Sequence, residues 1–139
     1  MRAWPGAEGE YVHEVRERDL ATAFANDVPV LATPILMWTS EIAAMRAIED
    51  QLEPGEMTLG VEHRSAHLAP TPLGFTVTAR ARLVAVEGKR LRFEVTCHDG
   101  RDEVLAGEHD RCVVPAESFR ERIEQKAAGG PLAAAAGHQ

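Results

Sequence analysis

TPILMWTSEIAAMRAIEDQL, residues Thr33 to Leu52, is the stretch on which the reading of the fold turns. Thr33-Pro34 opens it with a helix-start signal. A Thr at the N-cap accepts a hydrogen bond from first-turn amides, and Pro at the first helical position loses no bond. From Ile35 to Met45 apolar residues recur on almost every side, and polar ones return only with Arg46, Glu49, Asp50 and Gln51. A helix apolar all round is a buried helix. Near its middle stands Glu41, where the pattern asks for Leu. A charge placed there is costly unless it is paired or protonated, which makes Glu41 the first candidate for a site.

Outward from this helix the period changes. Glu53-Pro54-Gly55-Glu56 reads as a turn, and from Thr58 onward apolar residues alternate. Thr58–Leu68 is a predicted strand with Leu59, Val61, His63, Ser65 and His67 on one face. Phe75–Val86, Lys89–His98 and Asp102–Val114 are three more, the last two joined by the hairpin signal Asp99-Gly100. Before the helix, Glu10–Arg18 alternates as a first strand, and Leu20–Asn26 has a short helical pattern after Asp19. After Pro115, Ala116–Lys126 is a short amphipathic helix. Residues 1–9 read as a loose leader, and the low-complexity tail 127–139 as disordered.

One apolar helix with one antiparallel sheet is an α+β arrangement in which the sheet must wrap the helix. A curved sheet around a central helix is the hot-dog fold. The four strands after the helix have meander spacing. Exposed edge strands commonly pair between protomers, so a homodimer is expected.

Length and composition bound the function. At 139 residues the chain suits one domain, here residues 1–126, with enough length to bury a core. A net charge of -7 argues against nucleic-acid or anionic-membrane partners. No run approaches a membrane span, and residues 1–10 lack a signal-peptide core. Cys97 and Cys112 have no redox or metal-ligand spacing and read as buried free thiols in a reducing compartment, so a cytoplasmic location is expected.

Few residues offer chemistry. Glu41 is either a structural carboxylate paired with an Arg or a nucleophile or general base. Thr33 caps the helix, and a cap also sits where first-turn amides can hold an oxyanion. His63 and His67 share a strand face but lie roughly 13 Å apart at strand spacing, so they do not share a metal. His98 and His109 read as lying near turns or strand ends, no HxH or HExxH motif occurs, and no metal is expected. Arg111 falls among inward positions of the last strand. It is either an exposed edge residue or a group able to hold a phosphate or pair with Glu41.

Several runs resemble a known family. LEPGEMTLG (Leu52–Gly60), His67, and the long segment Ala69–Arg111 with its VEGKRL and CHDG elements closely resemble the fluoroacetyl-CoA thioesterases, small hot-dog acyl-CoA hydrolases. The similarity runs from about Val28 to Lys126. It implies a catalytic set of Thr33, Glu41 and His67, with Gly60 and Arg111 at the acyl-CoA pocket and Phe24 in a lid; Trp38 is taken with Phe24 as lining the acyl pocket. It further implies an acyl-CoA substrate, no cofactor beyond the substrate's own coenzyme A, and a homodimer with sites at the interface. Two positions depart from the family pattern: Pro34 follows the catalytic Thr in place of Gly, and Asp27 stands in place of a second lid Phe. The expected activity is hydrolysis of a short-chain, fluoroacetyl-like acyl-CoA. The alternatives are an acyl-thioester hydratase or dehydratase of the same fold, or a non-catalytic acyl-CoA binding module.

Overall fold

The computed structural model describes residues 3–131. Strand β1 (Glu8–Glu14) is followed by two 3-10 turns (Glu17–Asp19 and Ala21–Phe24) and helix α1 (Thr33–Ile48), which ends in a third 3-10 turn (Glu49–Gln51). Strands β2 (Glu56–His67), β3 (Thr76–Glu87), β4 (Arg90–His98) and β5 (Glu103–Pro115) follow, then helix α2 (Ala116–Gly129). All five strands form one antiparallel sheet in the order β1-β3-β4-β5-β2. The hot-dog architecture expected from the sequence is present, with α1 lying mainly against β1 and β3.

The strand order differs from a simple meander. Only β3, β4 and β5 are consecutive neighbours, joined by tight turns at Gly88 (φ 62) and Gly100 (φ 94). In the second turn Asp99 accepts the amides of Arg101 and Asp102 at 2.9 Å each, and the Thr71 hydroxyl at 3.0 Å. β2 instead lies at the far edge beside β5. The link from Leu68 to Phe75 is too long for a two-residue hairpin. Its Pro70 and Pro72 have no amide hydrogen to give a ladder.

Inside the curve, Val77, Ala79, Ala81 and Leu83 of β3 and Leu91, Phe93, Val95 and Cys97 of β4 pack against Leu36, Ala43, Ala44, Ala47 and Ile48 of α1. The alternation predicted for β3 and β4 holds up to Leu83, where a bulge shifts β3. Small residues set the closest approach. A Cβ at Gly9 of β1 would fall on the backbone of Ala43 and Ala47, so β1 and α1 cross in near contact.

Three expectations need correction. Helix α1 is not buried all round: Trp38 is 43% exposed and Met45 39%, while Thr39 and Ser40 are fully buried. Their hydroxyls donate to the carbonyls of Leu36 and Met37 at 2.6 Å, so the inward polar residues are satisfied within the helix. The short helix expected over Leu20–Asn26 is a single 3-10 turn, Ala21–Phe24, instead, stopped at Ala25 by a left-handed conformation (φ 63). At the other end α2 continues to Gly129, three residues beyond Lys126, so 127–129 are helical; 132–139 of the expected tail lie outside the described residues.

The convex face carries an ion-pair cluster. Asp110 of β5 is fully buried beneath Arg64, Arg90 and Arg92, with contacts of 3.0, 2.9 and 3.2 Å. Burial alone would raise its carboxyl pKa. The hydrogen bonds from Arg92, Arg64 and Arg90 outweigh this and bring it down to about 2. The depressed folded value means this stabilisation is fully present above the unfolded carboxylate range and is lost as pH falls towards 2. Wild type should therefore lose melting temperature between pH 5 and 2 more steeply than Asp110→Asn, which at neutral pH should be about 1–3 kcal/mol less stable in urea melts. Gly9→Val should cost about 1–3 kcal/mol by overpacking the β1–α1 crossing; an unchanged urea midpoint would show that the crossing has slack.

Candidate active site

The site grows from the one carboxylate on the inward side of α1. Glu41 Oε1 accepts a hydrogen bond from Arg111 Nη1 at 3.2 Å. Arg111 is itself buried and anchored: Nε donates to Thr58 Oγ1 at 2.9 Å and Nη2 to the Thr58 carbonyl at 3.0 Å. Of the two readings left open for Arg111, the buried partner of Glu41 is the one observed. Gly60 completes the arrangement, since a Cβ there would stand 2.6 Å from Glu41 Oε1. Only glycine leaves the carboxylate its position.

A β-bulge explains how β2 serves this cluster. The β2–β5 register shifts between Gly60 and Glu62, so Gly60 faces Arg111 and His63 faces His109. The bulge reverses the side-chain alternation. Thr58 and Gly60 point inward before it, and His63, Ser65 and His67 after it, whereas unbroken alternation puts Leu59 and Val61 on the histidine face. Bulges of this kind re-aim side chains beside functional sites.

His109 is mid-strand and fully buried, not near a strand end as its sequence surroundings suggest. Its Nδ1 donates to the Glu62 carbonyl at 2.9 Å. That fixes the tautomer: Nε2 is the acceptor for Arg111 Nη1 at 3.1 Å. Burial first, helped by His63 and Arg111, pushes its pKa down to about 4. His63 stacks on His109, with ring centroids 4.0 Å apart and planes 18° from parallel. Its Nε2 is 3.9 Å from Glu41 Oε2. Burial lowers the His63 pKa, Glu41 opposes this, and Arg111 adds to it.

Glu41, His63 and His109 together offer three metal-type donor atoms within 4.8 Å of one another. The spacing argument against a metal does not reach this set, which is drawn from three elements. Arg111 does. Its Nη1 is bonded to both Glu41 Oε1 and His109 Nε2, so a guanidinium already engages two of the three donors. Two like charges at that distance repel strongly in a desolvated site.

The second half of the site lies at the start of α1. Thr33 does not cap the helix: Ala32 is the N-cap and makes no side-chain bond. The Thr33 hydroxyl pairs instead with His67 Nδ1 at 2.7 Å. With the hydroxyl donating, the proton of the His67 ring sits on Nε2, which is buried without a protein partner among the described residues. A hydroxyl committed to His67 is not available to first-turn amides, which is the physical reason the capping expectation fails.

Two groups therefore form within one chain: Thr33 with His67, and Glu41 with Gly60 and Arg111. Eight helical residues separate Thr33 from Glu41, about 12 Å of rise, so the groups do not touch. Trp38 lies edge-on to Tyr11 and His13 at 5.7 and 5.5 Å, and Phe24 is 47% exposed on its 3-10 turn. No hydrogen bond or ring contact among the described residues ties either to Glu41 or His67. The sequence reading missed His63 and His109 as members of the cluster. Two His among the inward positions of strands that prove to be neighbours was the available signal, but pairing β2 with β5 was needed to use it.

The comparisons with known proteins bear on this geometry. The family model described as fluoroacetyl-CoA-specific thioesterase (FlK) matches residues 15–117. A fluoroacetyl-CoA thioesterase of Streptantibioticus cattleyicolor is 43% identical over 107 residues, 77% of this chain and 77% of that protein. A solved structure of FlK superposes with a TM-score of 0.84 at 35% identity, covering 91% of this chain and 98% of the other. A Phe-to-Ala mutant of FlK in complex with fluoroacetate and CoA gives 0.77 at 35% identity, covering 84% and 99%. A thioesterase superfamily member from Thermus thermophilus, 24% identical over 93% of this chain and 99% of its own, shares the fold with a TM-score of 0.83. With the matched region spanning β2 through β5 and all of α1, the chain belongs to the fluoroacetyl-CoA-specific thioesterase family.

Proposed function

We propose that this protein is an acyl-CoA thioesterase that hydrolyses a short-chain acyl-CoA to the free acid and CoA. The observation that carries the reading is the Glu41 carboxylate, seated against Gly60 and held through one oxygen by a buried Arg111. A carboxylate fixed by one oxygen presents the other to a reacting group. Thioester hydrolysis needs three things: a nucleophile or base, a proton donor for the leaving thiolate, and groups to orient them. Glu41 supplies the first through Oε2. His67 supplies the second as an Nε2–H hydrogen bond to the leaving sulfur, with the Thr33 hydroxyl donating to Nδ1 and holding the ring in that tautomer. Beyond the substrate's own coenzyme A the reaction needs no cofactor.

The working unit is a homodimer. β2 is an edge strand with one side unpaired, and it exposes Val61, with Leu68 exposed just past its end; Trp38 and Met45 of α1 are exposed too. Antiparallel pairing of β2 with a second β2, centred near Arg64, sets His67 of one chain opposite Gly60 of the other. That register brings Thr33 and His67 to the partner's Glu41, closing the gap that one chain leaves. A reducing, cytoplasmic setting suits the buried free thiol of Cys97, whose pKa burial raises to about 11. Among the described residues no helix is long and apolar enough to cross a membrane.

Acyl selectivity rests on the exposed segment 22–29, which carries Phe24 and Asp27. A carboxylate at 27 leaves the lid less apolar than a pair of Phe side chains, so the preference for a fluorinated over a plain acetyl group is expected to be modest.

Free-thiol release from acetyl-, fluoroacetyl-, propionyl-, phenylacetyl- and longer acyl-CoAs tests the activity. Glu41→Gln and His67→Ala should each lower kcat by about 10²–10⁴-fold, the usual share of a positioned acid or base. Enoyl-CoA as the product would identify a hydratase or dehydratase. Substrate binding with no thiol release by wild type would identify a binding module. Val61→Asp with Leu68→Asp should convert a dimer to a monomer in light scattering and abolish turnover together. An active monomer would show that one chain suffices.

A further inference from the structure

We propose that His63 is a further catalytic residue of the hydrolytic site: it shares the attacking water with Glu41 Oε2 and takes the proton that Glu41 removes from it. This rests on the thioesterase reading and adds a fourth polar residue to the set of Thr33, Glu41 and His67.

The two oxygens of Glu41 are not equivalent. Oε1 is taken by Arg111. Oε2 faces His63 Nε2 across 3.9 Å, beyond a hydrogen bond yet short enough for one water to bond both. Neither nitrogen of His63 has a protein partner among the described residues, although both are buried. A Val or Leu would fill the same space without leaving polar atoms unsatisfied, and orphaned buried polar groups call for an explanation. His63 is also held in place. Its ring stacks on His109, and His109 is fixed by the Glu62 carbonyl and by Arg111. The titratable or charged groups facing it are Glu41 from α1 and His109 and Arg111 from β5, while its strand neighbours Glu62 and Arg64 join the ion pairs of the opposite face. Burial lowers the pKa of the ring and so favours its neutral form, the state in which it can accept a proton.

The step balances. The water oxygen forms a bond to the acyl carbon, the carbonyl π pair moves onto oxygen, and the water's proton passes to Glu41 Oε2 and on, across the newly formed hydroxyl that still lies between the two groups, to His63 Nε2. Collapse re-forms the carbonyl and breaks the C–S bond, with the leaving thiolate accepting a hydrogen bond from His67 Nε2. The proton on His63 and that of the product acid then depart, one protonating the CoA thiolate and one reaching solvent.

The test compares wild type with His63→Phe, which keeps a ring on His109 and removes both nitrogens. With unchanged melting temperature and KM, kcat should fall about 10²-fold, the low end of what a positioned acid or base contributes. The acid limb of the kcat profile should also move to lower pH, because no imidazolium can form against Oε2. Release of thiol by wild type with kcat and acid limb unaltered in the variant would overturn the role of His63 alone. No release by wild type would overturn the hydrolase reading and this role with it. A readout free of turnover is the NMR titration of the His63 ring in wild type and Glu41→Gln, which also serves if His63→Phe does not fold. Its midpoint should drop in Glu41→Gln, since the carboxylate opposes the effect of burial. A midpoint that stays put would show that the two groups do not face each other and would overturn the proposal.

Discussion

A carboxylate on a central helix has to be held, and the bond from Arg111 to Glu41 is what the rest of this site is arranged around. Arg111 can serve only because Thr58 anchors two of its nitrogens. The carboxylate can approach only because residue 60 has no side chain. Loss of Glu41 would leave the buried Arg111 guanidinium without its counter-charge, which costs more than the pair itself contributes. The pair thus specifies geometry more than it stabilises the fold.

The sheet is shaped to serve that bond. The bulge after Gly60 lets β2 present a glycine to Glu41 and, three residues on, an imidazole to the same group. On the reverse face of β5, Asp110 gathers Arg64, Arg90 and Arg92 from two neighbouring strands. Asp110 sits between His109 and Arg111 in sequence, so a clamp on the convex side fixes the strand that aims both inward. The two faces of one strand divide the work, one for rigidity and one for chemistry.

The division of the site into Thr33–His67 and Glu41–Arg111 follows from helix rise and strand spacing. It links the edge position of β2 to the chemistry: the strand that carries His67 has one side free. Among the apolar side chains left in solvent, Trp38 and Met45 on α1 and Val61 and Leu68 on or beside β2 border the same region of sequence as the catalytic candidates.

Periodicity alone determined the α+β class, the central helix and the existence of every strand, because burial imposes a period of 3.6 or 2 wherever one face meets a core. Residue chemistry and family resemblance picked out Thr33, Glu41, His67, Gly60 and Arg111. Tertiary structure decided the rest. Strand order is a matter of which edges pair, and β2 pairs with β5 through contacts some fifty residues apart that no local pattern encodes. The bulge adds a single residue, which is enough to invert the alternation that a sequence reading extends through Val61. Whether the Thr33 hydroxyl caps its helix or meets His67 is a competition between a local and a distant partner, settled only when β2 is in place. His63 and His109 looked ordinary because a stacked pair exists only across two strands, and the function of a buried imidazole depends on what the fold sets against it.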